Sequence, residues 1–197
     1  MSKKKIALCV VKNAAEVLLS NGIVVFPTET VYGIGCKYGD QGARQRIYKI
    51  KSRSIDKPLQ VLIDNAQRLN DFDIALPSRA QVVIDKFTPG AMTFILASAS
   101  GEKIGFRIPD SEELKDLITA AGGALEASSA NISGETPPID FNQINPEIIK
   151  QADLAIDGGK CTGGKESTVV DLSVSPFVIL REGAIKAQAI LKLVNRE

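Results

Sequence analysis

Gly158-Gly-Lys-Cys-Thr-Gly-Gly-Lys-Glu-Ser-Thr-Val-Val-Asp171 is the stretch on which the fold turns. Gly159, four residues, then Gly164-Lys165 nearly reproduces the G-x-x-x-x-G-K-[ST] loop that cradles phosphates. Such a loop leaves a strand and opens a helix, because the helix N-terminus holds the phosphate. Residues 154–156 supply a strand before it. After Lys165, however, the chain runs Glu-Ser-Thr-Val-Val-Asp-Leu, which is β-branched, and the hydroxyl that would hold magnesium comes one place late. The pattern predicts a strand over 168–172, and the phosphate-loop fold is rejected. What remains is a Gly-rich segment leading into Ser167 and Thr168 as a ligand wall. Gly163 and Gly164 are expected to be a flexible approach to it, and Lys165 a solvent-facing cation.

Working outward, the spacing of Val10, Ala14, Val17 and Leu18 predicts a helix over 10–20, stopped by Asn21-Gly22. Strands are predicted at 23–26, 59–63, 92–97, 104–108, 124–128, 154–156, 168–172 and 177–180. Helices are predicted from 41 to about 51 behind Asp40, over 77–87, through 121 behind Asp110 or Ser111, over 146–151, and over 187–194. Residues 131–138 read as a polar loop. Interleaved strands and helices make this an α/β chain. Three strands close together in the last third add antiparallel parts, so the sheet is mixed. No repeat, low-complexity tract or linker divides residues 1–197, so one domain is expected.

The 197 residues are 44% hydrophobic and 24% charged, ordinary for a globular chain. Net charge is +1, which announces no global field for nucleic acid. No apolar run is long enough to span a bilayer. Met1-Ser-Lys-Lys-Lys precedes only about half a signal-peptide core, and a cytoplasmic protein is expected. The three cysteines include no C-x-x-C pair, which argues against a disulfide framework or a cysteine zinc site. Cys36 and Cys161 are read as structural. There is no histidine, so Ser-His-Asp and Cys-His catalysis are excluded. Chemistry must come from Lys, Arg, hydroxyls, carboxylates and backbone amides.

Four segments carry such groups. In Pro27-Thr-Glu-Thr-Val-Tyr-Gly-Ile-Gly-Cys36, hydroxyls follow a strand, and Gly33 and Gly35 would let the backbone approach a ligand. A plain strand-to-turn connection explains the same letters. In Lys49-Ile-Lys-Ser-Arg-Ser-Ile-Asp-Lys57, Lys51 and Arg53 would diverge by about 200° on a helix. Their convergence on a polyphosphate requires a turn, and a solvated helix end is the alternative. Ala127-Ser-Ser-Ala-Asn-Ile-Ser-Gly134 suits either a phosphate or a self-satisfied turn. Arg181, following the strand at 177–180, is placed to reach a phosphate.

Taken in order, PTETVYGIGC, KSR with KPL, TPGAMTFIL, FRIPD, SSANISG, KESTVVDL and ILREGAI resemble the YrdC family of threonylcarbamoyl-AMP synthases, from residue 27 to residue 185. The resemblance implies one α/β domain, with a twisted mixed parallel/antiparallel sheet flanked by helices and an open concave basic face. It implies that L-threonine, bicarbonate or CO2, and ATP yield threonylcarbamoyl-adenylate and pyrophosphate, for threonylcarbamoyladenosine formation on tRNA. By motif match, Arg53, Lys57, Ser129 and Arg181 contact ATP, and Thr30, Arg107 and Ser167 contact threonine. Lys51 and Asn131 complete a catalytic set with Arg53 and Ser129. Arg107 is expected to clamp a carboxylate bidentately. Magnesium is expected with ATP; Glu29 and Asp171 are candidates for it by location alone. Expected partners are the transfer enzymes of the tRNA modification, with direct contact to tRNA or double-stranded RNA as a further possibility. The chain departs from the family at Leu62, where many members carry His, and at Ala127, where many carry Ser or Thr. Long members carry a further C-terminal domain, and the short, single-domain form is expected here. Two other readings compete. A double-stranded RNA or tRNA-binding module is disfavoured by few aromatics among the basic segments. A carbamoyl-transfer domain of the hydrogenase-maturation type is disfavoured by the absence of zinc-finger cysteines.

Overall fold

A computed structural model describes residues 6–194; Met1 to Lys5, which open the stretch read above as falling short of a signal peptide, lie outside them. The strands are β1 Val24–Phe26, β2 Gly33–Lys37, β3 Gln60–Ile63, β4 Met92–Ala97, β5 Lys103–Arg107, β6 Ala124–Ser129, β7 Leu154–Ala155, β8 Thr168–Asp171 and β9 Val178–Arg181. The α-helices are α1 Leu8–Leu19, α2 Gln41–Ile50, α3 Ser78–Phe87, α4 Glu112–Ala120, α5 Pro146–Gln151 and α6 Ala187–Val194. A 3-10 helix, Ala66–Phe72, was not anticipated; the Asn65 side chain caps it by accepting from Gln67 N at 3.0 Å. The expected caps form at Asp40, which accepts from Ala43 N at 3.0 Å, and at Ser111, which accepts from Leu114 N at 3.4 Å.

All nine strands form one sheet in the order β7-β1-β2-β6-β3-β5-β4-β8-β9. The pairs β1/β7, β3/β5 and β4/β8 are parallel and the others antiparallel, so the sheet is mixed as expected. The segment after Lys165 is indeed a strand, and it pairs β4 from Met92 opposite Thr168 to Ile95 opposite Asp171.

Strand β2 is the main correction. Gly33 and Gly35 look like turn residues that admit a ligand, yet they are sheet residues that admit Phe26. A Cβ on Gly33 would lie 2.8 Å from the Phe26 ring, and one on Gly35 would lie 2.9 Å from Glu126 O and 3.1 Å from that ring. The missing side chains seat a core aromatic contributed by the neighbouring strand. Strand β9 also runs one residue further than expected, so Arg181 is a strand residue opposite Val169.

Side chains alternate across the sheet, so each face is packed separately. On one face, α1 and α4 cover Val24 and Phe26 of β1, Leu125 of β6 and Leu62 of β3. On the other, α2 and α5 cover Val25, Ile34 and Cys36, while α3 and α6 cover Val61, Phe94, Phe106 and Val170. Strands β1 and β2 are therefore helix-covered on both faces. Beyond Leu62, no helix of the described residues covers the first face of β5, β4 and β8. That uncovered face is the floor of the site.

Candidate functional site

A groove of about 420 Å³ lies on the uncovered face. Its floor comes from alternate residues of three strands: Lys103, Gly105 and Arg107 of β5; Thr93 and Ile95 of β4; Val169 and Asp171 of β8. Gln60 of β3, Ser129 at the end of β6, and Arg53 and Arg181 complete the lining used below.

Arg53 arrives there through one strained residue. Helix α2 ends at the C-cap Lys51, and Ser52 then adopts φ +48°, a left-handed conformation uncommon outside glycine. The turn this produces sends the two basic side chains in different directions. Arg53 enters the groove, braced by Nε donating to Lys57 O at 2.8 Å and Nη2 donating to Pro58 O at 3.0 Å. Lys51 is 1% exposed and does not line the groove. Its ammonium donates to Ser129 O and, at 2.5 Å, to Asn131 O, while its own carbonyl accepts from Ser133 N at 2.8 Å. Burial, with Arg53 nearby, pushes its pKa down to about 8 against the opposing pull of Glu166 and Glu135. The turn required for convergence is present, but it separates Lys51 from the groove and makes it a clamp on the 129–133 segment.

Asn131 is also buried outside the groove. Its Nδ2 donates to Ile132 O at 2.9 Å and Glu135 O at 2.8 Å, so it shapes its own turn, and its Oδ1 has no partner among the described residues. Lys57 supplies a backbone carbonyl to Arg53, and its side chain does not line the groove. Ser129 does line it.

At the other end, Arg107 is 3% exposed and heavily committed. Its Nη2 donates to Glu29 Oε1 at 2.6 Å and to Thr30 Oγ1 at 2.8 Å, and its Nε donates to Gly90 O at 3.3 Å. The expected bidentate fork is thus already taken, and only Nη1 is unpaired among the described residues. Thr30 is buried beneath Arg107, outside the groove lining. Leu62 packs in the core with Leu125, and Ala127 lines the groove.

The opening stretch forms the third wall. Arg181 Nη1 donates to Glu166 Oε1 at 2.7 Å, and its Nε and Nη2 donate to Ser167 O at 3.2 and 3.0 Å. The turn after β9 presses onto this segment so closely that a Cβ on Gly183 would lie 2.3 Å from Glu166 O. Buried Thr168 Oγ1 locks it by donating to Ile185 O at 2.6 Å and accepting from Gly183 N and Ile185 N. The glycines upstream are pinned rather than flexible. Tyr32 Oη donates to Gly159 O at 2.7 Å and accepts from Gly158 N at 3.1 Å, while Gly163 N donates to Glu29 O at 2.7 Å and Gly164 N to Thr30 O at 3.2 Å. Lys165 is exposed.

Sequence reasoning missed Gln60, Thr93 and Lys103. The signal available for Lys103 was its period-two spacing from Arg107 along one strand. Lys103 Nζ donates to Asp171 Oδ2 at 2.9 Å, and Asp171 Oδ1 accepts from Ser173 N and Oγ. Burial pushes the Asp171 carboxyl up, but these donors outweigh it and hold the pKa below the usual value. Asp171 and Glu29 are thus engaged with protein cations. Among the described residues no cluster of three or more acidic, Cys or His groups fits a metal ion. Cys36 and Cys161 are buried, and burial with Glu126 and Asp40 nearby pushes the Cys36 thiol up to about 12.

Among the described residues, four cations face the groove against two carboxylates, Glu166 and Asp171. Arg107 pairs with Glu29, Arg181 with Glu166 and Lys103 with Asp171. Arg53 alone of the four has only carbonyl partners among the described residues.

The family model described as Sua5, YciO and YrdC, telomere recombination, matches residues 16–183. A putative threonylcarbamoyl-AMP synthase of Methanocaldococcus jannaschii is 32% identical over 182 residues, covering 89% of this chain and 86% of its own. The threonylcarbamoyl-AMP synthase of Bacillus subtilis is 34% identical over 195 residues, covering 94% of this chain and 56% of its own. The crystal structure of Pyrococcus abyssi Sua5 complexed with L-threonine superposes with a TM-score of 0.90 at 31% identity, covering 96% of this chain and 58% of that one. The chain therefore spans little more than half the length of the latter two proteins.

Proposed function

The chain belongs to the Sua5, YciO and YrdC family, and from that membership we propose that it is an L-threonylcarbamoyladenylate synthase, a nucleotidyltransferase acting on ATP, L-threonine and bicarbonate or CO2. The observation that carries the reading is Arg53. A guanidinium held, among the described residues, only by carbonyls faces a groove it shares with Ser129 and Arg181, and it retains its charge for a phosphate. Beside Arg181, Arg107 Nη1 and Ser167, whose Oγ accepts from Arg181 Nη2, suit an amino acid carboxylate and a hydroxyl. Residues 1–197 act as one YrdC-like domain in this reading.

The threonine amine adds to CO2 to form a carbamate. A carbamate oxygen then attacks the α-phosphorus, and pyrophosphate leaves. Such a centre needs alignment and charge neutralisation, and no covalent nucleophile, which is consistent with a chain lacking histidine. Arg53 and Arg181 neutralise the phosphates, Ser129 orients them, and Arg107 positions threonine through its remaining nitrogen. Lys51 and Asn131 act indirectly, by holding the 129–133 segment in shape. Lys57 acts through its carbonyl on Arg53, and Thr30 by fixing Arg107. Magnesium enters as the magnesium complex of ATP.

The product passes to transfer enzymes that place the threonylcarbamoyl group on tRNA, in the cytoplasm. No helix among the described residues is long and apolar enough to cross a membrane. The test is pyrophosphate release from ATP in the presence of threonine and bicarbonate. The expected result is strict threonine dependence. Threonine-independent background together with tight, salt-sensitive binding of double-stranded RNA would replace this reading with an RNA-binding one. The groove does not favour that outcome, since no aromatic ring among the described residues lines it for base stacking.

A further inference from the structure

Three neutral side chains in the groove form a relay with only one consistent direction. Thr93 Oγ1 on β4 donates to Gln60 Oε1 on β3 at 2.8 Å, and the same Oγ1 lies 2.8 Å from Ser167 Oγ. A hydroxyl has one proton to give, and a carboxamide oxygen can only accept. The Thr93 proton is therefore committed to Gln60, and the bond between the two hydroxyls must carry the Ser167 proton toward Thr93. Arg181 Nη2 donates to Ser167 Oγ at 3.3 Å and occupies one lone pair. Ser167, 3% exposed, is left with one lone pair for the groove and no proton.

We propose that Gln60 and Thr93 are specificity-determining positioning residues that make Ser167 an obligate acceptor, so that the site selects an amino acid carrying a β-hydroxyl donor. This rests on the synthase reading above. Threonine has two donors to offer, its ammonium and its hydroxyl. The nitrogen must be free to add to CO2, so it cannot remain held by Ser167. The hydroxyl keeps its proton through the whole reaction and is the group that Ser167 holds. A substrate whose β-oxygen carries a methyl group offers only an acceptor, and two acceptors facing each other in a buried site are unfavourable.

The test compares kcat/KM for L-threonine and O-methyl-L-threonine in pyrophosphate release. Wild type is expected to favour threonine. In Thr93→Val the Ser167 proton is freed to point into the groove, where the ether oxygen accepts it. The threonine preference is expected to fall about tenfold, the usual weight of one hydrogen bond. Gln60→Leu reaches the same end by a different route: Thr93 turns its proton to Ser167, and Ser167 turns its own outward. Thr93→Ser restores the relay and is expected to keep the wild-type preference. The methyl group's steric cost is common to all variants and cancels in the comparison. Thermal melts identify a variant that fails to fold, and Gln60, being only half-buried, provides the second route. An unchanged preference in both Thr93→Val and Gln60→Leu, or relaxation in Thr93→Ser as well, overturns the inference while the synthase reading stands. A wild type without threonine-dependent pyrophosphate release overturns the synthase reading and this one with it.

Discussion

Arg53 and Lys51 are two residues apart, yet Ser52 gives them different work, and the difference is measurable. Arg53→Ala removes a cation held only by two exposed carbonyl contacts. Turnover is expected to fall about 10²–10³-fold, the scale of losing one charge-stabilising donor. The melting temperature should stay within a few degrees, as for surface substitutions. A variant with normal turnover would refute the phosphate role. Lys51 should reveal itself through pH. Its folded-state pKa of about 8 lies below the ordinary 10.5. Below pH 8 both folded and unfolded chains carry the proton, and the buried cation is a full liability. Between pH 8 and 10.5 the folded chain releases its proton first, so this group's contribution to stability rises with pH. Its hold on Ser129 O and Asn131 O weakens over the same interval. Activity is therefore expected to decline above about pH 8 while the Lys51 contribution to stability increases. Lys51→Met should lower activity at pH 7 and abolish the alkaline limb; a limb that survives belongs to another group.

Between elements, close approach matters more than contact number. Gly183→Ala would force a methyl group against Glu166 O and the Ser167 carbonyl, all backbone atoms with no rotamer to yield. The turn after β9 must lift from the segment before β8, and Arg181 goes with it. Loss of activity and a lower midpoint in a denaturant titration are expected, with Gly101→Ala, at an open turn, as a control for activity. The sequence made most elements legible because their signals are local: the helical spacing of α1 and α2, the caps Asp40 and Ser111, and the β-branched run at 168–171. Strand β2 was not legible, since its glycines answer to Phe26 on another strand. Site residues divided in the same way. Arg53, Ser129, Arg107, Ser167 and Arg181 could be picked out by motif and do face one groove. The Arg107 pairing with Glu29 joins residues far apart in the chain, and the Gln60–Thr93–Ser167 relay spans three strands, so neither has a local signature.

For the molecule as a whole, the uneven cover of the sheet sets where it opens. Amides of β2 and its neighbour β1, which lie between helix layers, should exchange with deuterium most slowly, approaching the global unfolding limit. Those of β8 and β9, at the open end, should exchange faster and should slow when magnesium–ATP is added. Uniform protection across the sheet would contradict the layered account. The strand order also has a consequence for synthesis on the ribosome. Strand β1 emerges early, but its outer edge is completed only when Leu154 and Ala155 arrive, and β4 likewise waits for Thr168 to Asp171. Until then the nascent sheet presents two bare edges of β-branched and aromatic residues, the kind that recruit other chains. The segment Thr168 to Asp171 both covers the β4 edge and supplies Val169 and Asp171 to the groove, so the chain hides that edge at the moment it becomes able to bind.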